Sequence, residues 1–277
     1  MPKSSSNLLK RRLDIAEIVR KHGEVKVDDL SMQLGVSGVT IRNDLNYLEL
    51  QGYLKRSFGG AIYTAQHDSQ LPVSEIRLPP LVNVRVELEL ARQCARLVKN
   101  RDVLFLGQSD LLRKTLPFLA DHKKLQVIVN DLSHAGIADD FIDGDVVVAG
   151  GIFKRGQQAL SGELVLHTLR QFDITCSILV IDSINPKGEL CQQDEALADI
   201  YREVIAQSER CVVVIARRNT EAKGCYEVGS LNDINALVAP QPVIADYHAQ
   251  LGAKGLQNSY TNNECVTYIR SGSINGS

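Results

Sequence analysis

The 277-residue chain is 44% hydrophobic and 23% charged, a balance that supports a packed core and excludes general disorder. No stretch approaches the roughly 18 uninterrupted apolar residues of a membrane span, and the start MPKSSSNLLKRR lacks the apolar run of a secretory signal, which places the protein in the cytoplasm. The charge is uneven: residues 1–62 carry 10 Lys/Arg against 7 Asp/Glu, and the remainder 21 against 26, a split compatible with an N-terminal segment that meets nucleic acid. Six cysteines stand far apart with no C-x-x-C pair, which reads as buried or incidental thiols. The chain holds no Walker loop, H-E-x-x-H, G-x-S-x-G or internal repeat, and its six histidines show no metal-like spacing. Neither a metal nor a cofactor is expected.

The first 62 residues predict three short helices and a hairpin. Leu8, Leu13, Ile15, Ile18 and Val19 recur at helical spacing, and Gly23 stops that helix. A second helix starts after Lys26, with Asp28 and Asp29 in the first turn where acids favour the helix dipole, and ends at Gly35. Ser37 caps a third helix, whose Ile41, Leu45 and Leu48 form one apolar stripe, and Gly52 ends it. YLKRSFGGAIY follows, two apolar arms around a basic, glycine-rich tip. Residues 63–84 contain Pro72, Pro79 and Pro80 and read as a linker.

Beyond the linker, apolar runs alternate with helical patterns over residues 85–270. The predicted strands are 103–106, 127–129, 146–149, 177–181, 211–215, 236–239 and 265–269. Continuous Val/Ile runs suit strands buried on both faces, and the alternation points to a largely parallel α/β sheet flanked by helices. The tail, 271–277, reads as disordered.

Helix, tight turn, helix and hairpin in this space have the layout of a winged helix-turn-helix, in which one helix enters the major groove. At about 100° per residue, the face opposite Ile41, Leu45 and Leu48 shows Val39, Asn43 and Asn46, flanked by Thr40, Arg42 and Tyr47. Asn43 suits adenine, Arg42 guanine or a phosphate, and Val39 a thymine methyl. Lys55 and Arg56 at the hairpin suit phosphate and set register. On pattern alone, the same unit also fits a solvated surface or a protein-docking module.

Val36-Ser37-Gly38-Val39-Thr40-Ile41-Arg42-Asn43-Asp44-Leu45, then Leu48-Glu49, Gly52, Arg56 and Phe58-Gly59-Gly60-Ala61, closely resembles the N-terminal domain of the DeoR-type bacterial transcriptional regulators. That resemblance implies operator binding through the helix beginning at Ser37. The larger domain also resembles that family's effector domain, which implies a Rossmann-like fold similar to ribose-5-phosphate isomerase and CoA transferases. The resemblance rests on Asn130, Gly150-Gly151, Lys154, Gly162, Asp182, Gly188 and Asp194-Glu195-Ala196. It implies a cytoplasmic repressor of a carbohydrate operon that senses a phosphorylated sugar or related metabolite.

Two departures bear on that sensor. The family's D-S-G-T-T-T turn is here Leu106-Gly107-Gln108-Ser109-Asp110-Leu111, and its later D-S-S-K is Ala216-Arg217-Arg218-Asn219. A hydroxyl-rich phosphate cradle is lost and two arginines are gained, which fits a relocated anion site, a ligand other than a sugar phosphate, or no ligand. Candidate effector residues are Gln108, Ser109, Asn130, Lys154, Asp182, Glu195, Arg217 and Arg218. An isomerase- or transferase-like enzyme with an accessory N-terminal module is the rival reading, with Asp194 and Glu195 as acid and base, although adjacent acids at a helix start more often cap it. A regulator without a small-molecule ligand is the third. Because one winged domain has limited reach, a homodimer or tetramer spanning two half-sites of double-stranded operator DNA is expected.

Overall fold

The computed structural model describes residues 11–12, 14–16, 18–19, 21–50, 54–57, 59–63, 84–153, 159–216, 225–245 and 247–271. The chain divides into two compact units, residues 1–77 and 78–277.

In the first unit, the described residues from 11 to 22 are helical (α1). They are followed by β1 (Glu24–Lys26), α2 (Val27–Leu34), α3 (Gly38–Leu50), β2 (Lys55–Ser57) and β3 (Gly60–Ile62). Gly23 at φ 74° and Gly35 at φ 65° end α1 and α2 in the left-handed conformation that glycine adopts without strain. Ser37 caps α3, its hydroxyl accepting from Thr40 N at 3.2 Å. The stripe Ile41, Leu45 and Leu48 is buried against Ile15, Val19, Val27 and Leu30. The sequence predicted a two-stranded wing, but the sheet has three strands in the order β1-β3-β2, all antiparallel. Leu8, Leu13, Gly52 and Phe58 lie outside the described residues, as do 64–83 of the expected linker and the tail from 272 on.

The second unit runs α4 (Val84–Arg96), β4 (Val103–Leu106), α5 (Asp110–Arg113), a 3-10 turn, β5 (Lys123–Val129), α6 (Leu132–Phe141), β6 (Asp143–Val148), β7 (Ile152–Phe153), β8 (Leu160–Ser161) and α7 (Glu163–Leu169). It continues with β9 (Cys176–Val180), β10 (Ser183–Ile184), β11 (Glu189–Gln192), α8 (Glu195–Gln207), β12 (Cys211–Val214), β13 (Tyr226–Ser230) and β14 (Ala236–Pro240). α9 (Gln241–Ile244), α10 (His248–Ala253), β15 (Leu256–Thr261) and β16 (Cys265–Arg270) complete it. The α4 helix starts at Val84, a residue the sequence assigned to the linker.

All seven predicted strands lie in one eight-stranded sheet, ordered β15-β16-β14-β12-β9-β4-β5-β6. Its strands are parallel from β14 through β6, and β16 and β15 add antiparallel at the other edge. Alternate side chains enter two separate cores: Leu104, Leu106, Val127 and Val129 meet Leu90 and Cys94 of α4, while Phe105, Ile128, Leu179 and Val213 meet α7 and α8. Burial on both faces explains the unbroken apolar runs. At the amino ends of the strands, Arg210 donates Nη2 to both Asp102 oxygens at 2.6 Å and Nη1 to Leu97 O, and Thr175 Oγ1 donates to Asp102 Oδ1. Five cysteines are buried and Cys225 is partly exposed, all as free thiols.

Candidate functional site

The polar side of α3 is turned to solvent. Ser37, Val39, Arg42, Asn43 and Asn46 are exposed, Val39 by 64% of its surface, while Thr40 and Tyr47 are half-buried. Thr40 and Ser37 share a hydroxyl–hydroxyl hydrogen bond of 2.8 Å, so both serve the cap as well as the surface. Tyr47 lies beneath the Arg12 guanidinium, 3.8 Å from the ring centroid, which draws it toward α1.

The inward side holds a charge as well as the apolar stripe. Asp44 is 1% exposed and clamped by Arg11 Nε at 2.6 Å and Arg12 Nε at 2.9 Å, both from α1. Two guanidinium groups satisfy a carboxylate that would otherwise be too costly to bury. Sequence reading missed this clamp, whose one visible sign was the adjacent Arg11-Arg12 pair within α1.

The wing is strapped along α3. Glu49 Oε1 accepts from Arg56 N at 2.7 Å, and Asn46 Oδ1 accepts from Arg56 Nη1 at 2.5 Å. Lys55 beside it is exposed. Gly60 lets β3 close on β1, since a Cβ there would fall 2.0 Å from Val25 O. The α2 start is held to the wing turn by Val27 N donating to Gly59 O at 2.9 Å.

In the second unit, Gln108, Ser109, Asn130 and Asp182 follow the carboxyl ends of parallel strands, where open α/β sheets bind ligands, and Glu195 opens α8 after β11. After β4, Gly107 packs under Tyr201, whose hydroxyl would stand 2.8 Å from a Cβ. Gln108 Oε1 accepts from Asn130 Nδ2 at 3.2 Å, and Asn130 Nδ2 also donates to Leu160 O at 3.1 Å. Ser109 Oγ caps α5 by accepting from Leu111 N, and Ser109 O contacts His134 Nε2 at 3.1 Å. Asn130 and His134 are fully buried, and among the described residues Asn130 Oδ1 and His134 Nδ1 have no hydrogen-bond partner. Burial, more than any neighbouring charge, holds the His134 imidazole below its usual pKa.

After β9, Asp182 Oδ2 accepts from Gln193 N at 2.7 Å, and Asp194 caps α8 by accepting from Leu197 N. Burial raises the Asp182 carboxyl above its ordinary pKa, and the charge on Asp194 adds to the effect. Glu195 is exposed in the first turn of α8. The structure thus joins Gln108 to Asn130 by a hydrogen bond, ties Ser109 separately to Leu111 and His134, and brings Asp182 close to Asp194. Lys154, Arg217 and Arg218 lie outside the described residues. His134 and Tyr201 were missed as site neighbours. The signal for His134 was its place one turn after Asn130, at the step from strand to helix.

The family comparisons fall on these same two units. Residues 11–67 match the DeoR-like helix-turn-helix domain, and residues 83–241, more than half of the chain, match the DeoR C terminal sensor domain. The chain belongs to the DeoR family. This DeoR-family chain is a DNA-binding transcriptional regulator that carries a sensor domain. It is 27% identical over 252 residues to the glycerol-3-phosphate regulon repressor of Escherichia coli K12, covering 87% of this chain and 97% of that protein. It is 24% identical to a putative aga operon transcriptional repressor of Escherichia coli O157:H7, covering 89% of this chain and 91% of that one. Among solved structures, ribose 5 phosphate isomerase A from Neisseria gonorrhoeae aligns with a TM-score of 0.36 at 12% identity, covering 69% of this chain and 78% of that chain. No helix among the described residues is long and apolar enough to cross a membrane.

Proposed function

We propose that this regulator represses a carbohydrate-utilisation operon by laying α3 in the major groove, and that a small phosphorylated sugar or polyol releases it. The exposed Val39-Arg42-Asn43-Asn46 face of α3, held out by a fully buried opposite stripe, carries this reading. In it, residues 1–62 form the DNA-binding domain, 63–84 the linker and 85–270 the effector-sensing and oligomerising domain. Asn43 pairs with adenine through both amide groups, Arg42 reaches guanine or phosphate, Val39 meets a thymine methyl, and Lys55 fixes register on phosphate.

The effector site lies along the carboxyl edge of the sheet, with Gln108, Ser109, Asn130, Asp182 and Glu195 as its described members and Lys154, Arg217 and Arg218 supplying positive charge. The name of one relative, the glycerol-3-phosphate regulon repressor, supports a small phosphorylated polyol or sugar. The site binds without catalysis, and the protein acts in the cytoplasm as a homodimer or tetramer, since two half-sites need two reading helices.

Selection of binding sites from a random duplex library by the full-length protein tests the DNA arm. Asn43→Ala is expected to erase one adenine preference, a discrimination of about 1–3 kcal/mol. Lys55→Ala is expected to weaken all sequences alike and to reduce the salt dependence by about one phosphate contact. Wild-type preferences surviving in the Asn43 variant would assign the reading face elsewhere.

A further inference from the structure

We infer that Arg56 is a specificity-determining residue: by holding the side-chain oxygen of Asn46, it turns that amide into a donor-only reader of a base edge. The inference rests on α3 being the groove helix. Its starting point is the 2.5 Å hydrogen bond from Arg56 Nη1 to Asn46 Oδ1. An amide's oxygen and nitrogen look alike in shape, but a guanidinium has donors only, so the atom that faces it must be the oxygen. The planar amide then points its NH2 away from the wing.

The strap is fixed at both ends. Asn46 and Glu49 are neighbours on one face of α3, and Glu49 Oε1 accepts from the backbone N of Arg56 at 2.7 Å. Arg56 therefore approaches Asn46 from a strand already tied to the helix. Its side chain is half-buried, whereas Asn46 is exposed, so the amide, not the guanidinium, is the more forward of the two groups.

The chemistry differs from that of Asn43, one turn earlier. Asn43 is exposed and makes no side-chain hydrogen bond with a described residue, so it offers both oxygen and NH2, the pair that adenine requires. Asn46 offers NH2 alone. In the major groove, guanine presents N7 and O6 acceptors, thymine presents O4, and cytosine presents an N4 donor. Asn46 held by Arg56 thus favours guanine or thymine, rejects cytosine and gives up the paired contact to adenine.

Site selection from a random duplex library by the full-length protein, with Asn46→Ala, Arg56→Ala and the double variant alongside, reads this directly. The position flattened by Asn46→Ala is expected to prefer guanine or thymine over cytosine in the wild type, by about 2- to 10-fold for one hydrogen bond. Arg56→Ala is expected to shift that same position toward adenine while the position read by Asn43 stays unchanged. In the Asn46→Ala background, removing Arg56 is expected to change no base preference. Unchanged thermal midpoints will show that the variants fold. Should Arg56→Ala unfold, Asn46→Ala alone decides, because an adenine preference lost at its position would overturn the inference. An Arg56→Ala protein that binds every sequence more weakly with the wild-type base profile intact would also overturn it and make Arg56 a phosphate contact. A wild type that selects no sequence would instead overturn the groove reading itself.

Discussion

Asp44 carries a charge on the helix side that faces the core, and its partners decide what that charge does. With Arg11 and Arg12 clamping it, the carboxylate fixes α1 across α3, and the Arg12 guanidinium then covers Tyr47. Asp44→Ala would leave two largely buried guanidinium groups facing no anion, so a loss of about 3–5 kcal/mol is expected, seen as a lower unfolding midpoint together with weakened DNA binding. The sequence displayed the Ile41-Leu45-Leu48 stripe but not this clamp, because a carboxylate does not reveal partners 32 and 33 positions away. His134 behaves in the opposite sense. Its pKa is depressed by burial, so the unfolded chain binds its proton more readily than the folded one. The stability it contributes is complete above its unfolded pKa of about 6.5 and is lost as pH falls through and below that value, at up to about 1.4 kcal/mol per pH unit. Denaturant unfolding from pH 7 to 5 should show that slope, and His134→Gln should flatten it.

At the scale of elements, the readable parts were those with strong local grammar. Ser37 followed by a 41-45-48 stripe announced α3, and glycines at 23 and 35 closed α1 and α2, as their left-handed φ angles bear out. The Val/Ile runs announced seven strands because both faces of the sheet are buried. The strands missed were β1, β7, β8, β10, β11, β13 and β15, and β1 and β15 show why. Three residues with one buried Val25, and the polar edge LQNSYT with one fully buried Leu256, carry too little apolar alternation to be recognised. Of the candidate effector site, the resemblance pointed to the strand-end residues Gln108, Ser109 and Asn130, whereas the packing of Tyr201 on Gly107 comes from α8, far along the chain. Gly60 provides a test of the wing. An alanine Cβ would press on the Val25 carbonyl, so β1 and β3 must separate. Gly60→Ala is expected to cost about 1–3 kcal/mol, as overpacking does, and to weaken DNA binding, measured by chemical unfolding and by titration on a fixed duplex.

For the whole molecule, two units of different charge do two jobs, and regulation requires that they be linked energetically. An effector shifts the DNA-binding equilibrium only by its differential affinity for the two states. A ligand at 100 times its dissociation constant adds about 2.7 kcal/mol of stability to the state it binds. On the function proposed above, polyol and sugar phosphates are expected to raise the unfolding midpoint of the full chain where their unphosphorylated parents do not. Asn130→Ala, which removes the buried amide at the strand edge, is expected to abolish that rise.

Everything about control depends on α3 occupying the major groove, and dimethyl sulfate probing of guanine N7 on a duplex selected by the full-length protein tests this most directly. The expected result is N7 protection in two patches separated by about 10 base pairs or a multiple of that spacing, with protection of one guanine per patch lost in Arg42→Ala. Guanine N7 atoms left fully reactive on a saturated duplex would contradict it.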